Sequence, residues 1–232
     1  LNVTAAAGVA FHDEEDDHPM TPSYVDRPHW IEGDEAFIIS DKYDIWKFQP
    51  DGKGFVCLTE GKGRENNWEL TYTSIEASDI SPLLAKTGIT QAIGKKETVF
   101  LTVFDRSTKE NGIATIAVDK PGFKSCFTDK YSFTTITKAK DTDVIAFKKG
   151  NYNQSPDQHT TTDLFATSKK WSAINPQQAE YNWSNNRLVH WTAYDGTKLD
   201  GMLITPEDLD PAKKYPMMIY FYEKYSENVY SY

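Results

Sequence analysis

"YDIWKFQPDGKGFVCLT" occupies residues 43–59, and "NGIATIAVDKPGFKSCFT" occupies residues 111–128. Laid over one another, the two stretches agree run for run. Pro50-Asp51-Gly52 falls over Asp119-Lys120-Pro121-Gly122, and Gly54 to Thr59 falls over Gly122 to Thr128. A third stretch, "TDLFATSKKWSAIN" at 162–175, gives the same order of run, turn and run. Each copy is preceded by a run rich in β-branched and aromatic residues: "AFIIS" at 36–40, "TVFLTVF" at 98–104 and "VIAFK" at 144–148. Short apolar runs closed by Gly, Pro and Asp are strand signals. The chain therefore reads as all-β.

Self-similarity at a spacing of roughly 45 to 70 residues, with about four strands per copy, marks β-propeller blades; a sandwich would not predict it. The blades fall at approximately 24–60, 66–128 and 129–176. The second carries an insertion in which "SDISPLLAKTG" (78–88) reads as a short helix, with Ser81 as N-cap, Pro82 at the first helical position and Gly88 past the end. Propellers close with about four to eight blades. Three predict either further residues upstream of Leu1 or an open arc whose edges need cover. The repeat also places Cys57 and Cys126 at equivalent positions about one blade apart, beyond the roughly 7 Å between Cα atoms that a disulfide spans. Both are expected to be free.

The composition narrows the partners. Lys and Arg number 25 against 34 Asp and Glu, for a net charge of -9. That balance disfavours attachment to nucleic acid or to an anionic membrane, which require basic surface. No run approaches the roughly 18 apolar residues of a membrane helix, and the opening residues lack the layout of a signal peptide. A start at Leu1 rather than Met fits a processed or excised piece and equally fits missing residues. Two cysteines without C-x-x-C or His-rich spacing give no metal site, and no cofactor is expected.

Past residue 130 the sequence becomes more specific. "YSFTTITKAKDTDVIAFKKGNYNQSPDQHTTTDLFAT" (131–167), "NPQQAEYNW" (175–183) and "LVHWTAYDGTKLDGMLITPEDLDPAKKYPMMIYFY" (188–222) together resemble the prolyl oligopeptidase family of serine peptidases, nearest its dipeptidyl peptidase and acylaminoacyl peptidase branches. In that family the last blade carries a segment echoed by Ser155-Pro156-Asp157 and Asp163-Leu164-Phe165. The crossing into an α/β-hydrolase domain is matched by Asp195-Gly196, Leu199, Gly201, Pro206 and Lys214-Tyr215-Pro216. The resemblance implies propeller blades over residues 1–186 and, over 187–232, the first strands of a truncated hydrolase domain. Local physics agrees. Asp195-Gly196 is a hairpin turn, and "MMIYFY" (217–222) is an unalternating apolar run of the kind buried on both faces of a parallel sheet.

An α/β-hydrolase presents its serine on a G-x-S-x-G elbow. These 232 residues contain no such elbow. The chain by itself is expected to be inactive, a non-catalytic propeller portion that caps and gates the active site of a peptidase cleaving short peptides. One catalytic element is implied by the resemblance. In the dipeptidyl peptidase branch a Tyr at the end of the strand after Tyr-Pro donates its hydroxyl to the oxyanion, and Tyr222 falls at that position. A neutral, preoriented donor aimed at developing negative charge stabilises a tetrahedral intermediate by a few kcal/mol. Here Glu223-Lys224-Tyr225 follows where the family usually continues with Gly-Pro, and the alternative reading of Tyr222 is a strand aromatic.

Other constellations read as structure. His12, His18, His29, His159 and His190 share no spacing. The acidic run "DEEDDH" (13–18) lacks the alternating carboxylates and Gly of a calcium loop, and Glu14-Glu15 lacks the aromatic setting in which such peptidases hold a substrate amine. Trp46, Trp171, Trp183 and Trp191 are expected to pack between blades. "GKGRENNWE" (61–69) reads as a polar turn leading into a strand. The expected partner is a peptide substrate of the full-length enzyme, with oligomerisation open. The resemblance favours a periplasmic or extracellular setting and leaves the cytoplasm open. The alternative is a stand-alone propeller module that binds a protein or ligand; a propeller acting on carbohydrate lacks a convincing carboxylate pair.

Overall fold

A computed structural model of the chain describes residues 2–76 and 91–232; the helix expected at 78–88 lies outside them. The described residues are all-β. Three four-stranded antiparallel sheets follow one another along the chain, and a two-stranded ribbon follows them. The first sheet comprises β1 (His29–Trp30), β2 (Phe37–Ser40), β3 (Ile45–Phe48) and β4 (Phe55–Cys57). β5 (Trp68–Thr73), β6 (Thr98–Asp105), β7 (Asn111–Ala117) and β8 (Lys120–Asp129) form the second. β9 (Ser132–Lys138), β10 (Ile145–Asn151), β11 (Gln154–Thr161) and β12 (Lys169–Lys170) form the third. β13 (Ser184–Thr192) and β14 (Lys198–Pro206) make the ribbon. In every sheet each strand bonds to its neighbour in sequence, the up-and-down order of a propeller blade.

By packing, the chain divides into two compact units. One is Leu1–Arg106 with Asn111–Thr128 and Thr137–Thr142; the other is Ser107–Glu110 with Asp129–Ile136 and Asp143–Tyr232. In the first unit, Ile38, Ile45 and Leu58 of the first sheet meet Leu70, Leu101, Ile116 and Val118 of the second in one core. Two polar bonds lock the seam. Lys47 Nζ donates to the Val118 carbonyl at 2.8 Å, and the Gly122 N–H donates to the Leu58 carbonyl at 2.9 Å. Gly122 has φ +105° inside β8. The matching of Gly122 to the Gly52 turn therefore needs correction: the β7–β8 turn falls at Val118 and Asp119, and Gly122 serves the seam between sheets.

All four residues of β2 are buried, a pattern without alternation. The cause is cover on both sides. Ile38 faces the shared core, while Phe37 and Ile39, with Phe48 of β3, face Val3, Ala7 and Phe11 of the N-terminal segment. Phe11 meets Phe48 edge-on at 5.6 Å and Trp46 at 6.3 Å. Glu15 anchors the same segment, pairing with Lys42 and with Arg106, which also holds Glu69.

"GKGRENNWE" differs from the turn expected. Lys62–Asn66 forms a five-residue helix, α1. The buried Asp44 carboxylate organises it, accepting from the Thr59 hydroxyl at 2.6 Å, the Gly63 N–H at 3.0 Å and the Arg64 N–H at 3.2 Å. A carboxylate at a helix start satisfies N–H groups that have no partner within the helix. Cys57 in β4 and Cys126 in β8 are both free, and burial pushes both thiols above their ordinary value.

Candidate functional site

The second unit holds Tyr222, the residue on which chemistry was expected, and a buried polar group that was not. β11 carries three buried side chains on one face, Asp157, His159 and Thr161, and its neighbour β10 supplies Phe147 opposite His159. Asp157 ties the outer part of this sheet together. Its carboxylate accepts from Ser172 Oγ at 2.7 Å and from the Ile174 N–H at 3.0 Å, and pairs with Lys170 of β12. Burial alone would raise its pKa; the bonds from Lys170, Ser172 and Ile174 outweigh that and bring it down to about 2.

The chain beyond Lys170 bends around Asp157 and encloses a groove of about 550 Å³. Its walls include Asn153, Gln154 and Ser155 on one side, with Ile174, Asn182, Trp183 and Glu207 on the other. The single-turn 3-10 segment Pro176–Glu180 forms part of the rim, with Gln178 donating to the Asn153 carbonyl at 3.1 Å. Tyr232 ties that rim down. Its hydroxyl accepts from Asn175 Nδ2 at 2.8 Å and donates to Gln178 Oε1 at 3.3 Å, and its ring stacks on Trp183 at 5.8 Å. Trp183 in turn donates its ring N–H to the Tyr152 carbonyl at 3.0 Å, while its backbone N–H donates to Glu207 Oε2 at 2.9 Å. Side-chain amides, which both donate and accept, make this groove suited to a polar chain such as a peptide.

Asp163 shapes the neighbouring loop. It accepts from the Thr161 hydroxyl and from both the hydroxyl and N–H of Thr167, which hold its carboxyl near 2. Leu164 and Phe165 are left-handed at φ +53° and +70°, a strained arrangement for two non-glycine residues. The strain is offset where Phe165 packs on Phe147 at 4.9 Å. The segment that carried the resemblance is thus a turn and a core plug.

Tyr222 stands apart from these groups. Residues 217–222 are in no strand, and Tyr222 is 71% exposed. The doubly buried strand expected of "MMIYFY" is corrected: Met218 is 93% exposed, because no strand among the described residues pairs with this segment. After Tyr222 the chain turns at Lys224 (φ +50°) into the 3-10 turn Tyr225–Asn228. Val229 then buries its side chain and accepts a bond from Asn186 of β13.

The histidines do not form one site. His18 bonds Asp16, His29 bonds Asp26 and lies on Tyr72, and His190 pairs with Asp200 across the ribbon at 2.7 Å. Lys109 Nζ holds the other oxygen of Asp200 at 2.9 Å. A serine and a histidine meet at exposed Ser168 Oγ and buried His159 Nδ1, 3.4 Å apart, a long contact with no third group among the described residues orienting the imidazole through its other nitrogen. Asp16, Asp17 and His18 lie close enough to share a cation, as exposed acidic groups often do. Glu15 is committed to Lys42 and Arg106, which accounts for it without a substrate amine.

The tryptophans also depart from expectation. Trp46 packs on Phe11 and Phe55, whereas Trp171, Trp183 and Trp191 are exposed, Trp171 at 61%. They sit at edges and in the ribbon, where no second sheet covers them within their unit. The Asp157 hub and its groove escaped the sequence reading because Ser172, Ile174 and Glu207 reach them through loops without periodicity. The traces in the sequence, Ser155-Pro156-Asp157, "TDLFATSKKWSAIN" (162–175) and "NPQQAEYNW" (175–183), carried repeat and resemblance but no signal of a groove.

No protein-family model matches the sequence, and no curated protein matches it. Among solved structures the chain is similar to a variant of the AtxE2 isopeptidase with Astexin3-dC4 bound. The two are 9% identical with a TM-score of 0.42, over 84% of this chain and 47% of that one. This chain thus spans about half the length of the structure it matches. At that identity and score the likeness establishes neither a family nor an activity.

Proposed function

We propose that the chain is the propeller portion of a serine peptidase of the prolyl oligopeptidase type, with blades over 1–186 and the start of an α/β-hydrolase domain over 187–232. The supporting observation is an order of elements. Three four-stranded meanders are followed by a ribbon of two nine-residue strands turned at Asp195-Gly196, then by an apolar segment at 217–222 that has no strand partner among the described residues. In this reading the meanders cap the active site and admit short peptides, the groove beside Asp157 contacts them, and residues 217–222 enter the hydrolase sheet with Tyr222 as an oxyanion donor. The propeller portion has no catalytic role of its own.

The test begins with the protein as its source makes it, found through peptides from residues 131–222. A polypeptide well above 26.4 kDa that reacts with a fluorophosphonate is expected. In that protein Tyr222→Phe lowers kcat about 10² to 10³-fold, the cost of an oxyanion donor, with KM little changed. A native product of 26.4 kDa that ignores the probe removes the peptidase reading. The groove of about 550 Å³ favours a second reading, a stand-alone binding module, which that outcome would promote.

A further inference from the structure

His159 Nε2 is a buried side-chain nitrogen with no hydrogen-bond partner, and the residue is 8% exposed. Buried polar atoms almost always find partners, and an orphan calls for a reason. The ring of His159 stacks on Phe147 at 5.6 Å, and Phe147 also meets Phe133 and Phe165. A neutral imidazole with an idle acceptor tolerates such an aromatic floor. An imidazolium does not: its second N–H would be an unpaired buried donor, and its charge would be unscreened.

The charged groups around it add to this. Lys149 on β10 and Lys170 on β12 oppose a further positive charge, and Asp157 on β11 favours it. Asp157 is already engaged by Lys170, Ser172 and the Ile174 N–H. Asp163, in the loop between β11 and β12, is engaged by Thr161 and Thr167. Burial first, and then the two lysines, hold His159 below the ordinary histidine value.

What yields is the sheet edge. β12 is two residues long and lies at the end of the sheet, paired with β11 through His159 and Thr160. The next bond along is the Trp171 N–H to the Gln158 carbonyl at 2.8 Å, and the chain then forms the groove wall at Ile174. We propose that His159 is a proton-operated latch: neutral, it lets β12 and the groove wall close over it; protonated, it reaches solvent by releasing them. The groove beside Asp157 is then a site whose wall opens in acid. The inference is independent of the peptidase reading, since it concerns residues within one unit of this chain.

Linkage sets the sign and slope. A histidine whose folded-state value is lowered contributes full stability above the unfolded value of about 6.5 and loses it as pH falls through the window below. One proton taken up on opening makes the opening constant rise about tenfold per pH unit in that window. The experiment is amide hydrogen exchange of the full chain between pH 7 and 5, corrected for intrinsic rates and read at Trp171 and Ile174. Asp157 and Asp163, both near 2, stay ionised throughout. The expected result is the tenfold slope in the wild type and none in His159→Phe, where a phenyl ring keeps the stack. His159→Gln, neutral at every pH, is flat as well and serves if the Phe variant misfolds. A flat wild-type profile, or a slope that survives both substitutions, overturns the latch.

Discussion

Asp44→Ala should unfold the first unit from its middle. The carboxylate is 1% exposed and accepts three bonds. Two come from donors that water cannot reach, the Thr59 hydroxyl and the Gly63 N–H. The third, from Arg64, comes from a residue that is partly exposed and can turn to solvent. Leaving a buried donor without an acceptor costs about 1–3 kcal/mol, so the two together cost about 2–6 kcal/mol. The middle of that range, at about 2–4 °C per kcal/mol for a chain of this size, gives a fall in Tm of about 8–16 °C. Gly63 leaves no room for compensation, since a Cβ there would stand 1.9 Å from the Tyr43 carbonyl oxygen. The assay is thermal unfolding followed by far-UV circular dichroism, run as a double-mutant cycle with Thr59→Val. Thr59 and Asp44 share a bond, so the cycle should show coupling of about 0.5–3 kcal/mol. A fall in Tm under about 3 °C, or strict additivity, would refute the account of Asp44 as the hub of α1.

Three further outcomes follow from particular contacts. Asp157 has its pKa depressed to about 2, so its stabilisation is present above about 3.9 and lost as pH falls from there toward 2. Amide exchange at Ile174 should accelerate across that interval in the wild type and be insensitive to it in Asp157→Asn. Gly112→Ala should destabilise by about 3 kcal/mol or more, because its Cβ would lie 1.8 Å from the Phe127 carbonyl oxygen and backbone must move; urea unfolding measures it. Residues 217–222 form an exposed, uncharged apolar run, so the 232-residue chain should self-associate with rising concentration in analytical ultracentrifugation. Ile219→Lys should suppress that association without altering Tm, and an unchanged sedimentation profile would clear the segment.

The meanders were legible because they repeat. "FVCLT" and "FKSCFT" both run from a Phe through a Cys to a closing Thr, one residue longer in the second copy, and each run pairs only with its sequence neighbours. The turn chemistry was legible less evenly. Asp195-Gly196 read correctly as a hairpin, with Gly196 at φ +91°, whereas Gly122 looked like a turn and proved to be a seam. Long-range polar contacts left no trace. Arg106 and Glu15 are 91 positions apart, and no local pattern announces that one will hold the other. The candidate groove was hidden for a related reason: its walls are loops, and loops take their path from hydrogen bonds such as Ile174 to Asp157 rather than from a hydrophobic period.

The seam between the first two sheets has a consequence for how the chain is made. Each sheet closes on contiguous sequence, so the first, at 29–57, can assemble as soon as it leaves the ribosome. Its outer face is covered at once by Phe11 and Ala7, which emerge earlier. Its inner face, with Ile38, Ile45 and Leu58, has to wait for Leu101, Ile116 and Val118. At synthesis rates of about 5–20 residues per second, the roughly 60 intervening residues leave that face bare for about 3–12 s. The nascent protein therefore presents a defined apolar surface for seconds, long enough for a holding chaperone to bind it, and the interval closes when the Val118 carbonyl meets Lys47.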